Sequence, residues 1–84
     1  MNESIIFKKL NEYFTPTFLE IKNESEKHAN HEGSPNTGDS HFYVIIKCER
    51  LKNLSRLEGQ REIFKVLEKE MNHGIHALRI KIMY

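Results

Sequence analysis

Tryptophan is absent from this chain and cysteine occurs once, as Cys48. A lone thiol closes no internal disulfide and builds no cysteine-rich metal knuckle, and it points to a reducing compartment. No apolar run approaches the roughly 18 residues that span a bilayer. The first residues, Met1-Asn2-Glu3-Ser4, carry no signal-peptide pattern, so a cytoplasmic or mitochondrial protein off the membrane is expected. An excess of one charge is also missing. Thirteen Lys and Arg against twelve Asp and Glu leave a formal +1, which argues against a dedicated nucleic-acid binder. Catalytic signatures are lacking too: there is no nucleophile elbow, phosphate-cradling glycine loop or HExxH helix, so no enzyme is expected. With 84 residues the chain has room for a single domain, taken as 1–84.

What is present is a clear succession of periods. Ile6, Leu10, Tyr13 and Phe14 recur at helical spacing between Ser4 and Phe14, and Thr15-Pro16 stops that helix. Phe18 to Asn23 alternates, with Leu19 and Ile21 on one side, and is a half-buried strand. Residues 24–40 hold two Gly and a Pro and almost nothing apolar, which makes a long loop. His41 to Cys48 is apolar on both parities and so reads as a central strand, with Phe42, Val44, Ile46 and Cys48 on one face. Ser55 followed by Glu58 forms a capping box that opens a helix from about Arg56 to Met71. Leu57, Phe64, Leu67 and Met71 are its expected inner stripe, and Asn72-His73-Gly74 closes it. Ile75 to Tyr84 alternates again as a third strand. Strand, helix and strand in succession favour a right-handed parallel crossover. The expected fold is α+β: one three-stranded mixed sheet packed against helices.

Cys48 sits on the buried parity, where a thiol is an inert small hydrophobe. Histidine is the chemistry-bearing residue. His28, His31 and His41 lie in or beside the loop, and His73 and His76 lie near the last turn. Neutral imidazole is a common ligand for zinc and iron. The bland readings are solvated loop histidines for His28 and His31, and a rim histidine bonded to a backbone carbonyl for His76. Lys47, Arg50, Lys52, Arg56, Arg61 and Lys65 form a basic series that suits either phosphates or a solvated surface.

Taken together, Asn23-Glu24-Ser25, His28, Ser40-His41-Phe42, Arg61 and Ile75-His76-Ala77-Leu78, in this order and spacing, closely resemble the BolA-like family across nearly the whole chain. The resemblance implies an αββααβ domain related to the type II KH fold, with a short helix around Leu51 to Leu54. It also implies a non-enzymatic iron-sulfur adaptor that pairs with a monothiol glutaredoxin. The pair would share a 2Fe-2S cluster for trafficking or iron regulation, with glutathione on the glutaredoxin side. The implied ligands here are His76 and a loop residue matching His28, with His31 as the alternate. The chain by itself is expected to be a monomer holding no cluster. The other reading is a KH-like nucleic-acid-binding transcriptional regulator that uses Lys47, Arg50, Lys52, Arg56, Arg61 and Lys65. Several departures bear on these readings. Gly59-Gln60-Arg61 stands where the family often has Arg-His-Arg, and Leu51-Lys52-Asn53 stands where it often has Phe-x-Gly. The frequent Thr-Pro-x-x-Trp tail and the Gly-x-x-Gly clamp of KH domains are both missing.

Overall fold

The protein is described by a computed structural model covering residues 2–24 and 41–84. Its elements are α1 (Asn2–Phe14), β1 (Phe18–Asn23), β2 (His41–Lys47), α2 (Glu49–Lys52), α3 (Arg56–Val66), α4 (Glu68–Asn72) and β3 (Ala77–Ile82). In α1, Ile6, Leu10 and Phe14 are buried at a spacing of four, which keeps them in one stripe. Tyr13, expected on that face, is half exposed. Its ring meets Phe14 edge to face at 4.8 Å, and the Arg50 guanidinium lies over it at 5.7 Å. The helix stops at Thr15, which is forced to φ 42°, an uncommon conformation for a β-branched residue, immediately before Pro16.

The sheet has the order β1-β2-β3, with β1 antiparallel and β3 parallel to the central β2. Phe42, Val44 and Ile46 of β2 are buried. They pair across to Asn23, Ile21 and Leu19 on one side and to Leu78, Ile80 and Ile82 on the other. The apolar members of these pairs, on the parity that faces the helices, form the core with Ile6, Leu10, Leu51, Ile63 and Leu67. Cys48 is 3% exposed in that core, as its parity predicts.

The capping box at Ser55 is formed in both directions: Ser55 Oγ accepts from the Glu58 amide at 3.1 Å, and Glu58 Oε1 accepts from the Ser55 amide at 3.0 Å. These bonds hold the Glu58 carboxyl below its usual range. Their contribution is therefore present at neutral pH and is lost as pH falls through that depressed range.

The rest of this segment departs from expectation in three ways. Of the expected inner stripe, Leu67 is buried and Met71 is half-buried against the core, but Leu57 and Phe64 are exposed; Gly59, Ile63 and Glu70 join Leu67 inside. Gly59 turns the helix, because a Cβ there would stand 2.7 Å from Ile82 Cδ1 and 3.3 Å from Leu51 Cδ2. The helix lies against the sheet at the one residue without a side chain, and the positions four and eight residues later follow it inward. The expected single helix also divides at Leu67 (φ −99°, ψ 14°), whose amide still reaches Ile63 at 3.1 Å. The short preceding helix lies at Glu49–Lys52, slightly earlier than the resemblance implies.

Glu70 points inward because Lys9 meets its carboxylate at 2.7 and 2.9 Å. Its carbonyl accepts from the amides of His73 and Ile75, and Gly74 at φ 142° makes the turn into β3.

On the sheet face away from the helices, Arg79 donates from Nε and Nη2 to the two oxygens of Glu24 at 3.0 and 2.8 Å. The guanidinium also lies 4.2 Å from the centroid of the Tyr43 ring. Glu24 is 8% exposed, and its amide donates to His41 O at 2.8 Å, tying the end of β1 to the start of β2. This fork clasps all three strands at one end.

Two outcomes follow from this packing. Ile82→Val removes the methyl that would meet a Cβ at Gly59, so its usual cost of about 1 kcal/mol should vanish or reverse in a Gly59→Ala background. A double-mutant denaturation cycle measures this; simple additivity would contradict the contact. Arg79→Ala should speed hydrogen exchange at the Glu24 amide by about tenfold while leaving unchanged the Glu20 amide, which bonds to β2 further from the fork. Equal effects at both would show that the fork does not act locally.

Candidate metal centre

His76 is exposed just ahead of β3, and His41 is half-buried as the first residue of β2. Because the two strands are parallel, they start at the same end of the sheet, and His41 pairs with Ala77. The register alone thus makes His41 and His76 neighbours. Their rings lie nearly parallel, 12° apart, with centroids separated by 6.2 Å. Two imidazoles bound to one tetrahedral ion would have centroids about 5 Å apart, so to share a metal this pair must close by about 1 Å and its near-parallel planes must turn toward each other. Their nitrogens suit iron or zinc, so the donor set fits an imidazole-ligated centre.

The remaining expected ligands, His28 and His31, lie outside the described residues. His41, noted in sequence only as lying beside the loop, emerges as the imidazole next to His76. A local pattern could not show this, since the pairing depends on the register between β2 and β3. Among the described residues no group of three or more His, Cys, Asp or Glu gathers around one point. Cys48 is buried and the Glu24 carboxylate is held by Arg79, so neither adds a ligand here. A 2Fe-2S centre needs four ligands, and a pair of imidazoles at one end of the sheet is half of such a set.

The six expected basic residues divide among several recesses, with Arg50 and Lys65 both beside Tyr13. Arg50 is engaged by Glu62. Lys47 and Lys52 line a recess with Cys48 and Tyr84, whereas Lys65 lines a separate cleft with Lys9 and Tyr13. Arg56 lines a third groove beside β3, and Arg61 is exposed on α3 near Glu58. No helix among the described residues is long and apolar enough to cross a membrane.

The family model of BolA-like proteins matches residues 10–84. The DNA-binding transcriptional regulator BolA of Haemophilus influenzae is 36% identical over 80 residues, covering 95% of this chain and 74% of its own. Two Arabidopsis thaliana structures share the fold. The BolA domain of SufE1 superposes with a TM-score of 0.84 at 30% identity, covering 96% of this chain and 88% of that one. BolA1 does so with a TM-score of 0.84 at 28% identity, covering 95% and 87%. The order of elements, the mixed sheet and the match along most of the sequence agree: the chain belongs to the BolA-like family.

Proposed function

We propose that this protein is a non-enzymatic adaptor that pairs with a monothiol glutaredoxin and receives a shared 2Fe-2S cluster as cargo. The observation that carries this reading is the His41–His76 ring pair at one end of the sheet. His76 supplies one imidazole. The second comes from the chain that leads into β2, where His28, His31 and His41 are the candidates. The glutaredoxin thiolate and glutathione complete the set on the partner's side, giving a mixed nitrogen and sulfur ligation akin to Rieske centres. When bound, the cluster supplies iron and sulfide for transfer or a signal of their supply. The protein's own residues present nitrogen donors and orient them through the paired strands. Protonation takes away an imidazole's lone pair, so acidification competes with ligation.

A second reading rests on the Haemophilus influenzae relative, whose name is that of a DNA-binding transcriptional regulator. The near-neutral charge and the division of the basic residues among different recesses weigh against it. A salt titration of binding separates the two, since phosphate contacts weaken steeply with salt.

The direct test is visible circular dichroism of the cluster-loaded heterodimer. His76→Ala should abolish the native spectrum, and Cys48→Ser should leave it intact. Among the second ligands, His28→Ala should weaken the cluster more than His31→Ala. His41→Ala is the measurement the geometry adds: loss equal to that of His76→Ala makes the strand-borne pair the ligand set. The isolated chain should take up little colour on reconstitution. A native spectrum from His76→Ala overturns the assignment.

A further inference from the structure

β3 is the edge of the sheet, and its outer side pairs with no strand among the described residues. The Met83 amide donates to Ile46 O at 2.8 Å, so the alternate residues Lys81 and Arg79 also turn their backbone groups toward β2. The N–H and C=O groups of Leu78, Ile80 and Ile82 therefore face outward. A groove of about 410 Å³ wraps this edge, with Arg56 and Gln60 on the helix side and Tyr43, Arg79 and Lys81 on the open face. Among the described residues, none that lines it is acidic. Arg79 is shared with Glu24, whereas Arg56 and Lys81 have no ion-pair partner among the described residues. Cations beside an exposed edge repel a like-charged strand, and they leave this row of hydrogen-bonding groups open to an acidic one.

We propose that the free edge of β3 is a docking site for an extended acidic segment of a partner protein, which adds as a fourth strand. Added strands take affinity from backbone hydrogen bonds and specificity from alternate side chains. Carboxylates at every second position would meet Arg79 and Lys81 on the open face, and the intervening apolar residues would lie toward Ile80 and α3. A second copy of this chain fits poorly, because antiparallel pairing of β3 with itself sets Arg79 and Lys81 against like charges. Nucleic acid fits poorly as well. Among the described residues Tyr43 is the only aromatic lining the groove, and Arg79 already covers its ring.

The test titrates the isotope-labelled full chain with the blocked peptide acetyl-Thr-Glu-Val-Glu-Val-Thr-amide and follows amide hydrogen exchange. The outward amides of Leu78, Ile80 and Ile82 should slow by about tenfold at saturation, while Arg79 and Lys81, already bonded to β2, should not change. N-methylating either the Glu or the Val amides of the peptide should abolish binding in one case and spare it in the other, because alternate amides face the edge. The pair Arg56→Glu and Lys81→Glu should weaken binding at least tenfold. His76→Ala should bind the peptide normally, which keeps this result independent of the cluster reading. Equal binding by both methylated peptides overturns the proposal. So does protection of these amides by oligo-deoxythymidylate with none from the peptide.

Discussion

Parallel pairing of β2 with β3 is the constraint on which the rest of the molecule depends. Two parallel neighbours cannot be joined by a tight turn, so the chain must cross back over the sheet. The crossover is α2, α3 and α4, and the right-handed rule places all of it on one face. That face becomes the core, and the opposite face is left to Tyr43, Arg79 and the half-buried Ile45. The same pairing brings the starts of β2 and β3 together, which sets His41 beside His76. It also leaves β3 at the edge, since β1 already occupies the other side of β2.

Within this frame two carboxylates are taken out of water, and each is matched by a cation from a distant part of the chain. Glu70 is held by Lys9 and Glu24 by Arg79. Burial without such a partner costs a carboxylate several kcal/mol, so the pairs are conditions for the packing more than sources of stability. Arg79 is largely exposed, and its contribution is correspondingly screened by solvent. Its worth lies in direction: one planar fork meets two oxygens and one ring, fixing three strands relative to one another.

What could be read in the amino-acid order was what is local. The Ser55–Glu58 box, the stop at Thr15-Pro16 and the alternation of Phe42, Val44 and Ile46 each depend on neighbours within one turn or one strand. Gly59 was illegible, because a glycine carries no hydrophobic signal and its role is defined by Ile82 on another element. The same holds for Leu57 and Phe64: by size they belong inside, but the close approach at Gly59 rotates them outward. At the candidate site, the ligand type and His76 came from residue identity and the family pattern. The neighbourhood of His41 depends on a register between strands separated by three helices.

One feature of β1 and β2 has a wider meaning. Their antiparallel ladder is closed by the Glu24 amide on the His41 carbonyl, and two residues would suffice to join such strands. Residues 25–40 stand where a tight hairpin would do. Closing a longer connection costs only about 0.6 kcal/mol for each doubling of its length, so the scaffold is nearly indifferent to how much chain is placed there. By that measure alone, a change of length there costs the fold little. The β2–β3 register that sets His41 beside His76 is fixed on the other side of β2, by the helical crossover, and so does not depend on that length.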